Sequence, residues 1–367
     1  MLVAICASIS SNVIIILQVV WKTLYGKSAS DHGTLCYFKS LLRRTTVTSD
    51  VKKAVDANVE FLLTVFKGHV LAKACEILEI STLDSRDHLP PALTHSSSPA
   101  SQQLKFVKNI ASKIVKECTL INTCMEIKES DDGVYNYAKV LCHYGALIMV
   151  FKNAWSDGAG DIDYKCWRLM LPHFKSSRRT KYSLEALRLQ FQVRSCLSPQ
   201  LAHQLLWDRF VNVRGGAGKN IPCDLYNEHI VNLIKMIITN MGPNLTENSL
   251  QRAARSVSTL STLCKQFDSE SNVPVTTSAH ATKSDASDMQ KVVSAVLDNN
   301  LLNIVPGRRH NMYKTMRFNP LWNWDRQDTI DWIEKKKKDF MKFRGMTATE
   351  AEEDSEEEDE FDDNSDQ

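Results

Sequence analysis

Asp224, Glu228 and His229 are the residues whose types and spacing come nearest to a reaction centre. They lie in the run Ile221-Pro222-Cys223-Asp224-Leu225-Tyr226-Asn227-Glu228-His229. Carboxylates four apart share a helix face and can hold a divalent ion, with His229 beside them. A structural reading competes: Asp224 as the helix N-cap, and Glu228 as a complement to the positive helix end. Metal-dependent nuclease chemistry needs further carboxylates from other elements. Magnesium is therefore expected only on the nuclease reading, and no other cofactor is expected. Just upstream, Gly215-Gly216-Ala217-Gly218-Lys219-Asn220 superficially suggests a phosphate loop. That loop needs Gly-x-x-x-x-Gly-Lys-Ser/Thr. Here Val213 stands where the first glycine belongs, and Asn220 replaces the magnesium-holding hydroxyl. A tight turn needing positive φ fits better, with Arg214 and Lys219 able to meet a phosphate through charge alone.

Other chemistry-bearing side chains are scattered. His69, His143, His203 and His229 fall in helical segments, where each reads as a packed or hydrogen-bonded residue. No Gly-x-Ser-x-Gly elbow is present. Basic residues cluster at Lys175, Arg178, Arg179 and Lys181, at Arg308, Arg309, His310, Lys314 and Arg317, and at Lys335 to Lys338. Trp322, Trp324 and Trp332 interleave with the last two clusters. Cations beside aromatics suit a nucleic-acid backbone and its stacked bases. A solvated charged helix face accounts for the lysine run equally well. The candidate nucleic-acid-binding residues are Arg178, Arg179, Lys181, Arg214, Lys219, Arg308 and Arg309.

The charge balance supports this emphasis. Residues 350–367 hold 12 acids and no Lys or Arg, which leaves 45 basic against 31 acidic side chains in the rest of the chain. A tail so charged repels itself and is expected to be disordered. The composition, 43% hydrophobic and 24% charged, is that of a globular protein rather than a rod or a disordered chain. None of the 10 cysteines forms a Cys-x-x-Cys pair or a zinc-finger spacing with histidine. Reduced thiols in an intracellular protein, nuclear or cytoplasmic, are expected. Met1 to Val20 has no basic n-region, so secretion through residues 1–20 is not expected. Its apolar run, Val13 to Leu17, is too short to span a bilayer, and no membrane partner is expected. Its β-branched residues suggest a buried strand or the start of a helix.

Helical spacing dominates the remainder. Val55, Val59, Leu62 and Phe66 share a face in a helix over 53–79. Spaced apolar residues predict helices over 102–128, 134–155 (apolar all round), 161–174 (Pro172 at its end), 181–194, 224–240, 246–267, 288–300 and 325–344. Ser198-Pro199 starts another, with Ser as cap and Pro at the first position. The fold class is mainly α: a multi-helix globular body, at most one or two strands near the N-terminus, and a disordered acidic C-terminal tail. The expected organisation is an N-terminal segment 1–80, a Pro- and Ser-rich linker 81–100 and a central helical domain 101–267. A polar loop 268–287, basic C-terminal helices 288–345 and the tail 346–367 follow.

The string Asn212-Val213-Arg214-Gly215-Gly216-Ala217-Gly218-Lys219-Asn220-Ile221-Pro222-Cys223-Asp224-Leu225, with Glu228-His229, resembles the signature of domain of unknown function 6589. So do Thr180-Lys181-Tyr182-Ser183-Leu184-Glu185-Ala186-Leu187, Leu197-Ser198-Pro199 with His203, Asn240-Met241-Gly242-Pro243-Asn244, and Asn319-Pro320-Leu321-Trp322-Asn323. The resemblance covers roughly residues 17–343. It carries no established activity, substrate or cofactor. It implies a mobile-element-associated protein, descended from transposase-like nucleases whose ribonuclease-H-like core is interrupted by helices. Glu228 would then be the late catalytic carboxylate. Members extend upstream of the equivalent of Leu17, where such a core keeps its early strands and an acid; this chain reads as truncated there.

The favoured reading is a non-catalytic, mainly helical, transposon-derived protein that binds DNA or RNA. The alternatives are a metal-dependent nuclease using Asp224 and Glu228, and a scaffold that docks protein partners on helical faces or the acidic tail.

Overall fold

In the computed structural model the described residues are 9–80, 83, 99–118, 131–213, 215–242, 246–271, 285–314, 316, 317, 319–321 and 324–342. The helices in chain order are α1 (Ile9–Leu24), α2 (Leu35–Leu41), α3 (Val55–Leu78, entered through a 3-10 turn at Val51–Ala54), α4 (Ala100–Cys118), α5 (Gly133–Asp157), α6 (Gly160–Ser176), α7 (Thr180–Phe191) and α8 (Pro199–Trp207). Two two-residue strands follow, β1 (Phe210–Val211) and β2 (Ile221–Pro222), then α9 (Cys223–Met241), α10 (Glu247–Glu270), α11 (Asp285–Asp298) and α12 (Arg326–Lys342). Most of the 81–100 linker, the 272–284 part of the polar loop and the acidic tail lie outside the described residues. Among the described residues, no helix is long and apolar enough to cross a membrane.

The fold is mainly α, but the strands are not near the N-terminus. Residues 13–17, expected as a strand or helix start, lie inside α1. Ile16, Leu17, Val20 and Leu24 are completely buried, and that three- and four-residue spacing is a helix face. Packing of that face outweighs the few tenths of a kcal/mol by which β-branched residues disfavour helix. The strands instead form mid-chain: Phe210 pairs with Pro222 and Val211 with Ile221, antiparallel, closing the glycine-rich turn. Gly215, Gly216 and Gly218 have φ of +69°, +87° and +68°, which is the conformation that turn demands.

The described residues divide into two compact units, one of residues 9–157 with 210–317 and one of 158–209 with 319–342. In the larger, α3 and α5 are buried nearly all round. α3 packs along α11 and crosses α5. Two glycines set how closely these helices approach. A Cβ on Gly68 would lie 2.2 Å from Cγ1 of Val292 in α11, and one on Gly145 would lie 2.6 Å from Cβ of Phe66 in α3. The Tyr137 hydroxyl on α5 accepts from the Leu35 amide at 3.0 Å and donates to the Leu24 carbonyl, joining the end of α1 to the start of α2.

A buried ion pair locks the start of α5 to the segment after α11. Asp132 is completely buried. Its carboxylate accepts from the amides of Val134 (2.9 Å), Tyr135 (3.0 Å) and Val305 (2.8 Å). It also accepts from Arg308, whose Nη2 lies 2.7 Å from Oδ2 and whose Nε reaches both oxygens. Arg308 donates further to the carbonyls of Asn299, Asn300 and Asn303. Burial alone would raise the Asp132 pKa; hydrogen bonds from Arg308, Tyr135 and Val305 outweigh it and the pKa is lowered.

In the smaller unit α6 and α7 form a hairpin over Trp167, Met170, Phe174, Ala186 and Leu189. Pro172 lies inside α6 rather than ending it. Asp163 and Arg209, both buried, pair at 2.8 Å, and the guanidinium covers the Trp167 ring at 5.4 Å. Ser198 caps α8, accepting from the Leu201 amide at 3.4 Å, with Pro199 at the first position. Phe191 packs on Phe340 of α12 at 5.4 Å.

Three outcomes follow from this packing. Gly68→Ala should cost about 1–3 kcal/mol, the usual penalty for overfilling a core, and adding Val292→Ala should recover part of it. Strict additivity of the pair in denaturant melts would remove the close approach as the cause. Asp132→Asn and Arg308→Ala should each destabilise by about 3–5 kcal/mol, because each strands a buried partner; single variants that melt like the parent would refute the clamp. Burial also pushes His69 and His143 down to about 4. Unfolded, both titrate near ~6.5, so the unfolded chain binds more protons below that pH. Their stabilising contribution is full above about pH 6.5 and is lost as pH falls towards 4, whereas Asp132 loses its contribution only below the ordinary carboxylate range. Melting temperature should therefore fall between pH 6.5 and 4, and less steeply in His69→Gln; a flat profile there would count against buried neutral histidines.

Candidate nucleic-acid interface

The turn from α6 to α7 is built from the three residues Ser177, Arg178 and Arg179. The Arg179 amide donates to the Phe174 carbonyl at 2.9 Å and the Arg178 amide to that of Lys175 at 3.1 Å. This is the Schellman pairing that ends a helix. Its left-handed position falls to glycine in most helices; here Arg178 occupies it, at φ +56°. α7 then begins at Thr180 with no acidic residue in its first turn and no side-chain cap from Arg179. The positive end of its dipole is therefore added to, not offset.

A cleft of about 300 Å³ opens at this corner, lined by Lys175, Arg178, Arg179, Thr180, Ser183 and Trp332. Lys175 Nζ stands 5.0 Å from the centre of the Trp332 ring and 3.7 Å from Asp328 on the same helix, α12. Asp328 is largely exposed, so that ion pair is weak. Asp325 caps α12 by accepting from the Asp328 amide at 3.0 Å. Ser183 is completely buried at the base, its hydroxyl donating to the Arg179 carbonyl at 2.9 Å. Arg178 and Arg179 are exposed, and so is Lys181 on the first turn of α7, outside the cleft wall. The result is three cations, a helix N-terminus, a hydroxyl and an aromatic ring within one concavity.

Of the residues singled out in the sequence, Arg178 and Arg179 meet here and Lys181 stands beside them. Thr180 and Ser183 were recognisable only as parts of a family-like string. Lys175 belonged to a noted basic cluster, but its pairing with Trp332, far along the chain, had no sequence signal. Lys219 is exposed in the glycine turn of the larger unit, and Arg309 is exposed there too. Arg214 lies outside the described residues, as does Trp322. Arg308 does not present a free guanidinium: its nitrogens serve Asp132 and three carbonyls, because its partner at the start of α5 is buried.

Asp224 is not the N-cap of α9. Pro222 takes that position because β2 ends there and Cys223 is already helical, which puts Asp224 in the first turn, half-buried. Glu228 and His229 are exposed one turn on. Among the described residues no group of three or more His, Cys, Asp or Glu is gathered closely enough to hold a metal ion. Among those residues, no third carboxylate of the kind the nuclease alternative asks for joins Asp224 and Glu228. Of the helical histidines, His69 is buried and His143 largely so, as expected of packed residues. His203 and His229 are exposed instead, His203 lying 5.6 Å from the Trp207 ring. Cys36, Cys75, Cys166 and Cys196 are free thiols.

Residues 13–280 match the Family of unknown function (DUF6589). No curated protein and no solved structure matches the chain. The family match spans most of the chain, including α1, the α6–α7 corner and the glycine-rich turn: this protein belongs to the DUF6589 family.

Proposed function

We propose that this protein binds nucleic acid at the α6–α7 corner. The observation that carries the reading is the cleft where Lys175, Arg178 and Arg179 surround the N-terminus of α7 beside the Trp332 ring. Phosphodiester oxygens pair with the three cations and the N-terminal end of α7, with Lys181 extending the track. Trp332 offers a base a stacking surface, which favours unpaired over duplex segments. Such a site reads charge and aromatic faces, not sequence. A mobile-element ancestry, implied by the resemblance of the family-like strings, is a setting in which this affinity is useful to the chain. The acidic tail, by its charge, would compete with nucleic acid for cationic surface.

Fluorescence anisotropy with labelled single-stranded and duplex DNA, between about 50 and about 200 mM salt, tests this. With three or four phosphates neutralised, the slope of log affinity on log salt should be about −2 to −3 on single strands. Arg178→Glu with Arg179→Glu should weaken binding at least tenfold at the low-salt end and flatten that slope. Arg178→Gly removes a cation while relieving a left-handed side chain, so it should lower affinity with an unchanged or higher melting temperature. Binding that ignores salt, or that survives both changes, removes the reading.

A further inference from the structure

The helical pair α9–α10 in the larger unit carries an exposed stripe that fits neither the core nor the cleft. On α10, Ala253 is buried and Leu250 half-buried. Most of the described positions of α10 are exposed, and Arg252, Ser256, Thr259, Leu263, Phe267 and Glu270 make one line along the helix. Leu263 is 54% and Phe267 67% exposed, far more than such side chains usually are. The six recur at intervals of four, three, four, four and three residues. That spacing puts all six on one face of the helix.

The order of residue types along this stripe says what covers it. A cation stands at one end, Arg252, and an anion at the other, Glu270. Two small polar residues, Ser256 and Thr259, occupy one half, and two large apolar ones, Leu263 and Phe267, the other. Turn the helix end for end and lay it on itself, and each position meets its complement: Arg252 meets Glu270, Ser256 meets Phe267 and Thr259 meets Leu263. Large side chains then enter the space left by small ones, and the ends pair opposite charges. A parallel arrangement would instead set Arg252 against Arg252 and Glu270 against Glu270. We propose that α10 is a self-association surface, through which two copies of this chain pair antiparallel about a two-fold axis near the middle of the helix. Self-complementarity of one patch is the requirement for a closed two-fold dimer. A single helix pair lies at the small end of interface sizes, so association is concentration-dependent, not obligate.

Sedimentation velocity on the full chain over a concentration series tests the proposal, independently of any nucleic-acid affinity. The parent chain should shift from monomer to dimer as concentration rises. Phe267→Glu should raise the dissociation constant at least tenfold without changing helicity or melting temperature. Arg252→Glu and Glu270→Arg should each weaken the dimer, since each sets like charges opposite, and the double variant Arg252→Glu with Glu270→Arg should restore it. A parent that is monomeric throughout, a dimer indifferent to Phe267→Glu, or a double variant no better than the singles would each overturn it. The last result would rule out the antiparallel register, because only that register brings the two altered positions together.

Discussion

Asp132 is a carboxylate with no access to water, and the larger unit is organised around keeping it satisfied. An ionised carboxylate in such a place is expensive unless its oxygens are filled. Three backbone amides and a guanidinium fill them. Those donors come from two distant parts of the chain, the first turn of α5 and the segment after α11. The pair therefore works as a registration device: α5 begins where Asp132 can cap it, and the chain leaving α11 must turn back until Val305 and Arg308 arrive. Arg308 in turn collects carbonyls left open near the end of α11. With α5 and α11 so fixed, α3 is held between them, and Gly68 and Gly145 are the points where the helices come too close for a side chain.

The same residue shows what a linear reading can and cannot find. A helix from about residue 134 was legible, and α5 does start there, at Gly133. That Arg308 is the counterion was not legible, because the two are separated by 176 positions and each has a plausible solvent-facing role alone. Periodicity worked where burial is one-sided or complete over many turns, as at Val59, Leu62 and Phe66 or along α5. Residue type was the poorer guide at Val13 to Leu17, where β-branched residues left a strand or a helix start open and the 16, 17, 20, 24 spacing of buried residues is helical. Cap chemistry worked at Ser198-Pro199, whose geometry is local. It failed at Asp224, because Pro222, two residues earlier, is tied into a strand pair with Phe210 and the helix begins directly after it, and a strand of two residues leaves no pattern to see.

The basic cleft was partly legible for a related reason. Arg178, Arg179 and Lys181 are neighbours in sequence, so their clustering survives folding whatever the fold is. Concavity does not follow from clustering. It requires α12 to bring Trp332 over the corner, and the contacts that do so, Phe191 on Phe340 and Lys175 against Trp332, join residues far apart in the chain.

Backbone strain sharpens the assignment but does not make it. A non-glycine residue in the left-handed region costs about 1–2 kcal/mol, and among the described residues four are held there: Arg43, Glu79, Arg178 and Asn300. Glu79 ends α3 in the same way that Arg178 ends α6, yet Glu79 is not part of the basic cleft, so the conformation by itself marks only a helix terminus. What separates the two is the company each keeps. Around Arg178 stand two further cations, an uncapped helix N-terminus without acids, and an aromatic ring, all facing one concavity. Glycine would serve the turn at lower energy and would leave that concavity with one charge fewer. An arginine at a position that favours glycine, on the wall of a cleft with two further cations, is the feature that the proposed anionic ligand would draw on.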